Sequence, residues 1–375
     1  MNNIKAFDVL VVYTSAIASS ASSAKKIKSP FQISKNRTHY NNAYAYFMEI
    51  CEKNNLSAAF TTRKDVTSAG SASCYWRYQD KQWLKVNKSC YSELIFDKLS
   101  PLGEKQKATL ELLFSTDKIK SFNSKQLSSL FFDKQKTFET LSDYSIPTVA
   151  IEDRSAAGVE KSLEDIRTLT ILHPNSYDFS NKYILKDRFG SGGYGVYLVG
   201  PSNPKEEVLD ILQMHQSTDF ILQPFADFRT GYKYNNSPGL TDIRIIFIGQ
   251  KIVQAYVRKA SNDDFRCNEH QGGQLHYITL KEIPAKVLEL SKQISRTLNT
   301  ENDLYALDLV VSNEGNPYLM EGNIRPGLDW NLSLKKNERM AKKLIRMIVE
   351  QLGKRNIYTN SEQNINETDS VKYLL

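Results

Sequence analysis

The alternation of apolar and polar residues along this chain predicts both strands and helices. "FDVLVVYTS", residues 7–15, is an apolar run of strand length, and it predicts the first buried strand of an α/β domain. "NNAYAYFMEICEKNN" has apolar residues at helical spacing and predicts a helix. "YWRY" and "WLKV" flank "QDKQ", so they predict the two arms of a β-hairpin. This hairpin is either an amphipathic sheet edge or an aromatic and basic surface for a peptide or nucleic acid.

The pattern continues through the rest of the chain. "FDKQKTFETLSDYSIPTV", residues 132–149, predicts a helix followed by a strand. "DFILQPFADF" predicts a strand that breaks at Pro224, and "TDIRIIFIGQKIVQAYVRKA" predicts two strands around a Gly-Gln turn. A helix is expected over residues 284–299. Residues 356–375 are polar and aperiodic, so they predict a disordered tail.

Four glycines fall within six residues in "YILKDRFGSGGYGVYLVG", residues 183–200. Such a cluster is typical of a phosphate-binding loop or a tight hairpin. The following "GVYLVG" predicts a strand rather than a helix, which argues against a Rossmann site. Val196 and Tyr197 stand where a Walker loop has Lys and Ser or Thr, and the chain has neither H-R-D nor D-F-G. The pattern therefore favours the flap of another nucleotide-binding class, with a plain structural hairpin as the alternative.

Composition narrows the class of protein. The 375 residues are 41% hydrophobic and 24% charged, typical of a globular chain of two or three domains. A net charge of +7 suits anionic substrates without requiring nucleic acid. The four cysteines form no C-x-x-C pair, and no segment has the length of a membrane span. The cysteine pattern favours a reducing cytoplasm. The N-terminal stretch resembles a signal peptide, but Asp8 interrupts it, so a buried strand is expected instead.

Two carboxylates are predicted to face each other near the C-terminal end. "LYALDLVV" and "PYLMEGN" predict strands joined around "NEGN". A two-residue or a four-residue loop places Asp308 directly opposite Glu321, whereas a three-residue or five-residue loop would break that register. Asp308 lies in an otherwise apolar strand, so two buried acids would share a proton or bind a hard cation such as magnesium. Asn323 adds a carbonyl oxygen on the same face.

With these features together, the sequence resembles the ATP-grasp superfamily, and within it the RimK-like and bacterial glutathione-synthetase-like ligases. The matching segments cover roughly residues 125–330 and run in the same order as in that family: "DKQKTFETLSDYSIP", "YILKDRFGSGGYGV", "ILQPF", "DIRIIFIGQKIVQAYVRKAS", "FRCNEHQGG" and "ALDLVVSNEGNPYLMEGNIRPGL". Each segment alone is weak evidence for the family, but six segments in the same order are strong evidence. The resemblance implies an α/β (α+β) ATP-grasp fold with an N-terminal α/β pre-ATP-grasp domain.

The resemblance also implies roles for particular residues. The residues expected to bind ATP are Lys134, Lys186, Gly190, Ser191, Gly192, Gly193, Gln223, Phe225 and Asn268. Arg244, Arg258 and Arg266 match catalytic positions that face the phosphates or the acceptor carboxylate. Magnesium would be held by Asp308, Glu321 and Asn323, as two ions that manganese can replace. The alternatives are a sheet-face pairing of Arg244 with Asp242 and a solvated pair of Arg258 with Lys259.

The resemblance implies four segments: an N-terminal domain over 1–122, a central subdomain over 123–220, a C-terminal subdomain over 221–355 and the tail over 356–375. The implied activity is an ADP-forming ligase that converts a carboxylate to an acyl phosphate and joins it to an amine of an amino acid or peptide. Rival interpretations are a maturase making side-chain amide or ester links in a ribosomal peptide, a catalytically silent nucleotide-binding regulator and a kinase-like phosphotransferase.

The remaining expectations concern partners. The N-terminal hairpin keeps a peptide partner open, nucleic acid and membrane are not expected, and a homo-oligomer is left open. Pro224 departs from the family, in which an acid is common at the adenine hinge. Residues 227–241, with Arg229 and Lys233, are longer than the expected connection. They predict either an acceptor-recognition loop or a disordered insertion.

Overall fold

The computed structural model describes residues 4–31, 38–236, 239–261, 264–329 and 334–372. The chain forms two compact units. Unit 1 comprises residues 1–124 and 327–375, and unit 2 comprises residues 125–326. Among the described residues, no helix is both long enough and apolar enough to cross a membrane.

The helices and strands are numbered in chain order. The strands are β1 Lys5–Ala6, β2 Val9–Tyr13, β3 Ala58–Thr62, β4 Val66–Ser68, β5 Ser71–Ala72, β6 Tyr75–Gln79, β7 Gln82–Val86, β8 Cys90–Tyr91, β9 Leu94–Lys98, β10 Lys120–Ser121, β11 Val149–Ala150, β12 Phe179–Asp187, β13 Val196–Val199, β14 Phe220–Ala226, β15 Thr241–Ile248, β16 Lys251–Lys259, β17 Gln274–Tyr277, β18 Leu304–Val311 and β19 Pro317–Asn323. The helices are α1 Thr38–Lys53, α2 Glu104–Leu113, α3 Lys125–Phe132, α4 Lys134–Thr140, α5 Ala156–Leu172, α6 Pro204–Met214, α7 Ala285–Leu298 and α8 Lys335–Lys372.

Unit 1 is built on a six-stranded sheet with the order β10-β9-β2-β3-β6-β7. Strand β2 lies between the parallel strands β3 and β9, and all five of its residues are buried. This burial on both faces explains the continuous apolar run, as expected for a central parallel strand. Strands β6 and β7 form the predicted hairpin, in which Tyr78 is opposite Trp83. The structure thus confirms the hairpin and the first buried strand.

Helix α1 buries one face in unit 1 at the spacing its sequence predicts. Tyr44, Phe47, Met48 and Cys51 of this helix are all buried. The i, i+3, i+4 and i+7 spacing of these residues places them on one stripe of an α-helix. Helix α8 packs on α1, and a bond from Arg346 Nη1 to the Tyr46 hydroxyl spans 2.8 Å.

Unit 2 contains two antiparallel sheets, with the orders β11-β14-β12-β13 and β17-β16-β15-β18-β19. The predicted Gly-Gln turn joins β15 to β16. Strand β14 does not break at Pro224 as predicted: it continues to Ala226, with Pro224 opposite Tyr183 of β12. Strand β11 pairs with β14 only at Ile221 and Leu222. The proline therefore lies beyond the part of β14 that β11 covers, where its missing N–H does not interrupt that pairing.

The β18–β19 hairpin has the predicted pairing of Asp308 with Glu321, but its loop length and register differ from the prediction. Val311 pairs with Pro317, and a backbone bond joins Ser312 to Asn316, so the loop has three residues rather than two or four. Gly315, with φ +84°, supplies the left-handed position of this turn. A register shift between Asp308 and Leu309 then adds one residue to β19, and this bulge restores Asp308 opposite Glu321.

The two compact units divide the chain differently from the predicted segments. Residues 327–355, which the sequence assigns to the C-terminal subdomain, group with residues 1–124. The separate central and C-terminal subdomains stay a prediction. The last helix runs to Lys372, over most of the predicted disordered tail, and residues 373–375 lie outside the described part. No Gly or Pro follows Gly353, so nothing in the local sequence ends the helix earlier.

Candidate active site

A cleft in unit 2 lies between its two sheets. Strands β12 and β14 line it from one side, and β16, β18 and β19 line it from the other. The glycine-rich loop between β12 and β13 also lines the cleft, as does Lys134 at the start of α4. The site therefore combines groups from widely separated parts of the sequence.

Two lysines stand on the side of the cleft nearest the glycine-rich loop. Burial lowers the pKa of Lys186 to about 8, although Glu321 acts in the opposite direction. Burial also lowers the pKa of Lys134, whose ammonium donates to the carbonyl of Gly190 at 2.5 Å. Buried ammonium groups without a full counter-charge favour an incoming anion. The two lysines can therefore hold a phosphate chain.

The glycine-rich loop closes against the segment that follows β16. Arg266 Nη1 donates to the carbonyl of Gly193 at 3.1 Å, and Gln271 contacts the carbonyl of Gly192. Gly193 has φ +77°, and a Cβ there would lie 2.8 Å from Asn268 Oδ1. Only glycine combines this conformation with this close approach. The loop thus forms a cover, and the hydrogen bond from Arg266 to Gly193 holds it in place.

An apolar slot occupies the other part of the cleft. Its walls are Ile184 and Ala226 from one sheet, Val310 and Met320 from the other, and Ile146 and Phe228 from segments next to the strands. Gln223 is buried at its edge, but its amide nitrogen donates to the Thr148 hydroxyl at 2.8 Å. A flat aromatic base fits such a slot, since ligand pockets combine apolar walls with few polar groups. Since this amide nitrogen is already bonded to Thr148, it is not free to bind a ligand, and Gln223 helps to shape the slot.

The centre of the larger sheet carries a buried network of acids and arginines. Asp308 is fully buried and receives both guanidinium groups: Arg244 Nε at 2.5 Å and Arg258 Nη2 at 2.9 Å. Arg258 also forms a bidentate pair with Asp242 at 2.8 and 2.7 Å. Burial alone would raise the pKa of Asp308, but Arg244 and Arg258 hold it below its usual range. Asp308 therefore stays ionised.

The predicted metal ligands meet in this network. The amide nitrogen of Asn323 lies 3.3 Å from Asp308 Oδ2 and 3.1 Å from Glu321 Oε1. Within the described part of the chain, no cluster of three or more His, Cys, Asp or Glu forms a metal site. Two carboxylates nevertheless fit magnesium, which is commonly held by one or two carboxylates together with substrate phosphates. The Asn323 amide would add its carbonyl oxygen only after turning, because its nitrogen now faces both carboxylates. An ionised carboxylate accepts about four such contacts, and Asp308 already accepts four, two from Arg244 and one each from Arg258 and Asn323. A cation bound by Asp308 would therefore displace one of these donors.

Most of the predicted site residues line this one cleft. Those that do so are Lys134, Lys186, Gly190, Ser191, Gly193, Gln223, Phe225, Arg258, Arg266, Asn268, Asp308 and Glu321. Gly192, Arg244 and Asn323 do not line it; Arg244 and Asn323 contact Asp308. Their chemical roles stay predictions.

The alternative pairings proposed for the two arginines are wrong. Arg258 is 5% exposed, so it does not form a solvated pair with Lys259. Asp242 pairs with Arg258, whereas Arg244 pairs with Asp308. The pairing follows from register, because Asp242 lies opposite Arg258 and Arg244 lies opposite Asp308 in neighbouring strands.

The loop over residues 227–241 packs mainly outside the cleft. Tyr234 stacks on His276 at 5.0 Å, and the Tyr232 hydroxyl donates to the carbonyl of Glu282. Of this loop only Phe228 lines the cleft, and residues 237 and 238 lie outside the described part. The described residues of this loop are therefore packed, and the predicted role in acceptor recognition stays a prediction.

Sequence reasoning missed the apolar slot and two charged residues beside Lys134. The slot residues look like ordinary core residues in the sequence, so no signal distinguishes them. Asp133 and Arg188 form a bidentate ion pair at the base of the glycine-rich loop. Asp133 immediately precedes a helical pattern, which is an N-cap signal, but its pairing with Arg188 joins positions far apart in the sequence.

Known proteins share this fold. A curated probable alpha-L-glutamate ligase of Haemophilus ducreyi is 30% identical over 218 residues, covering 58% of this chain and 62% of that protein. The chain thus spans less than two thirds of this relative. The D-alanyl-alanine synthetase A of Vibrio cholerae has a TM-score of 0.57 at 12% identity, covering 94% of this chain and 99% of that one. The ATP-grasp ligase PsnB, solved with a minimal precursor, has a TM-score of 0.52 at 11% identity, covering 92% and 99%.

These two structural likenesses confirm the expected α/β architecture with an ATP-grasp fold and an N-terminal α/β region. A family model described as the RimK-like ATP-grasp domain matches residues 128–348, more than half of the chain. The match begins just before Lys134 and extends beyond Asn323, so it contains every residue of the cleft. The chain belongs to the RimK-like ATP-grasp family.

Proposed function

We propose that this protein is an ATP- and magnesium-dependent ligase that joins a carboxylate to an amine and forms ADP. One observation carries the proposal: a single cleft combines an apolar slot, two buried lysines under a glycine-rich cover, and the facing carboxylates Asp308 and Glu321. Each part matches one part of magnesium ATP, namely the base, the phosphates and the metal. The alpha-L-glutamate ligase relative supports the same class of reaction.

The reaction needs two balanced steps. A substrate carboxylate oxygen forms a bond to the γ-phosphorus while the bond to the β,γ-bridging oxygen breaks, which yields an acyl phosphate and ADP. The amine nitrogen then forms a bond to the acyl carbon, loses a proton and expels phosphate, which leaves an amide. Lys134 and Lys186 offset the negative charge on the transferred group. The glycine-rich cover excludes water, which would otherwise hydrolyse the acyl phosphate.

Asp308, Glu321 and Asn323 would hold the metal. Magnesium bound there would supply positive charge to the phosphate oxygens. We infer two ions from the resemblance to the ATP-grasp family; these three residues would share their coordination with phosphate and water. Manganese prefers the same oxygen ligands and is expected to substitute.

We also infer that the substrate is an amino acid or a peptide, and that unit 1 receives an acidic one. Unit 1 carries 27 Lys and Arg against 16 Asp and Glu, whereas unit 2 carries 22 against 26. The net positive charge therefore comes entirely from unit 1, and a basic surface favours acidic partners. The PsnB neighbour was solved with a minimal precursor. A peptide-modifying enzyme is thus a second candidate beside a small-molecule amino-acid ligase.

The cysteines support a reducing compartment. All four are free and buried, and free cysteines are usual in cytosolic proteins. Since the proposed reaction also consumes ATP, we infer a cytoplasmic location. Detection of the native protein in cell fractions tests this inference directly.

Trapping with hydroxylamine tests the acyl phosphate. The purified chain is incubated with magnesium ATP, hydroxylamine and pools of amino acids and acidic peptides, and hydroxamates are detected by mass spectrometry. A hydroxamate that requires both ATP and the carboxylate is expected, because hydroxylamine attacks the activated acyl carbon. A stable phosphorylated product without hydroxamate would instead indicate a kinase-like phosphotransferase.

A further inference from the structure

An ion pair outside the cleft connects α4 with the base of the glycine-rich loop. Arg188 Nε donates to Asp133 Oδ1 at 2.8 Å, and Arg188 Nη2 donates to Asp133 Oδ2 at 2.8 Å. The Arg188 and Asp133 side chains are 22% and 16% exposed. This partly buried, bidentate geometry is the strong form of an arginine–carboxylate pair. Neither residue lines the cleft.

The residues on either side of this pair also contact each other. The rings of Phe132 and Phe189 stack with centroids 5.0 Å apart. The ammonium of Lys134 reaches the carbonyl of Gly190, and the backbone N–H of Lys134 donates to the carbonyl of Arg188 at 3.2 Å. Three consecutive residues, 132–134, thus contact three consecutive residues, 188–190. We call this set of contacts the loop clasp.

Asp133 has a second structural task. It is the N-cap of α4, and its Oδ1 accepts the backbone N–H groups of Gln135 and Lys136 at 3.0 and 3.3 Å. One carboxylate therefore orients the first turn of α4, which carries Lys134, and grips Arg188, which precedes the loop. Because Lys186 lies two residues before Arg188, both phosphate-facing lysines are within two residues of the clasp.

We propose that the Asp133–Arg188 pair is a positioning element that holds Lys134 and the glycine-rich loop in the geometry that binds the nucleotide polyphosphate. It acts through these two groups and does not itself touch the nucleotide. The inference rests on the proposed function only in that the cleft must bind ATP. It predicts that the pair determines affinity for the β- and γ-phosphates and leaves the apolar slot for the base unaffected.

The charges around the pair agree with this role. Although burial opposes ionisation, the bonds from Arg188 and the α4 N–H groups hold the pKa of Asp133 below its usual range. The pKa of Arg188 is raised, chiefly by its bond to Asp133. Glu152, which is well exposed, also contacts Arg188 Nη1 at 3.0 Å. Such a solvent-facing contact contributes little by itself, so Asp133 is the partner that fixes Arg188.

Nucleotide binding by the full chain tests the proposal. Dissociation constants for ATP, ADP and AMP are measured by calorimetry for the parent and for Asp133→Ser, Arg188→Gln and Arg188→Lys. Serine keeps an N-cap oxygen but removes the carboxylate, so Asp133→Ser separates the ion pair from the cap. Arg296→Gln is the matched control, because Arg296 forms an exposed ion pair with Glu289 at 3.7 Å.

The expected result is selective for phosphate number. Asp133→Ser and Arg188→Gln should weaken ATP and ADP binding about tenfold while AMP binding changes less than about twofold. Arg188→Lys should be intermediate, because lysine keeps the charge and loses the bidentate fork. Arg296→Gln should match the parent.

Two results would overturn the loop clasp. One is unchanged ATP affinity in all three variants. The other is equal weakening of ATP, ADP and AMP, since that would indicate general loss of structure. If Arg188→Gln does not fold, the same comparison is made with Arg188→Lys. A parent protein that binds no ATP would refute the proposed function itself, so the two failures are distinguishable.

Discussion

A methyl group added at Gly322 tests how the strand that carries Glu321 and Asn323 is held in place. Gly322 lies in β19 between Glu321 and Asn323, on the face opposite to them. A Cβ at Gly322 would lie within 2.5 Å of three ring atoms of Phe131. Phe131 is buried in the core of unit 2. Gly322→Ala therefore forces either the ring or the strand to move.

The expected loss of stability follows from overpacking. An added methyl in a well-packed core destabilises by about 1–3 kcal/mol. For a unit of about 200 residues, this corresponds to a fall in Tm of roughly 2–12 °C. Because the displaced strand carries Glu321 and Asn323, the variant should also need more magnesium for half-maximal ADP release.

A double-mutant cycle separates overpacking from other effects. Thermal unfolding and urea titrations are compared for Gly322→Ala, Phe131→Leu and the double variant. Phe131→Leu alone should cost about 1–2 kcal/mol. In the double variant the smaller side chain relieves the clash, so the free energies should be non-additive by about 1 kcal/mol or more.

Gly315→Ala is the control, because nothing lies within 4 Å of a Cβ there and only the positive φ of +84° opposes alanine. Its loss of stability should be unchanged by Phe131→Leu. A Gly322→Ala variant as stable as the parent, or strict additivity with Phe131→Leu, would refute the packing of β19 against α3.

Three further predictions concern charge. Glu321→Ala should abolish ADP release without unfolding the chain, since its side chain is 24% exposed; activity equal to that of a Glu289→Ala control would contradict a metal role. Burial lowers the pKa of Lys186 to about 8, so KM for ATP should rise about tenfold per pH unit above 8. Between about pH 8 and pH 10.5, the unfolded chain binds more protons at Lys186 than the folded chain does. The contribution of Lys186 to the free energy of unfolding therefore rises with pH over this range. A KM for ATP that does not change with pH up to 10 would contradict the role of Lys186 in binding ATP. Asp242→Asn should destabilise by about 3 kcal/mol because it removes a partner from buried Arg258, and chemical denaturation measures this loss.

The sequence predicts the facing carboxylates correctly and their loop incorrectly. The Asp308–Glu321 pair follows from alternation on two strands, which is a strong local signal. Loop length depends on Gly315, whose left-handed conformation closes a three-residue turn. The bulge that compensates for this odd length leaves no mark in composition. The loop length differs from the prediction by one residue, and the bulge in β19 shifts the register by one residue in compensation. Asp308 therefore still pairs with Glu321.

Contacts between distant segments explain most of what the sequence does not reveal. Asp133 and Arg188 are ordinary charged residues until the fold brings their segments together. Arg244 and Arg258 carry no sign of which acid each one pairs with, because that choice depends on the strand register around Asp308. The sequence also does not show that β14 continues through Pro224, since a proline interrupts a ladder only where a neighbouring strand needs its N–H.

The most direct test of the proposed ligase measures products and stoichiometry together. Purified protein is incubated with magnesium ATP and pools of amino acids and short acidic peptides, and ADP, phosphate and new masses are quantified, with Glu321→Ala as the inactive control. The proposal predicts equal amounts of ADP and phosphate, and a product lighter by one water than its two substrates combined. ADP without free phosphate, accompanied by a phosphorylated product, would contradict carboxylate–amine ligation.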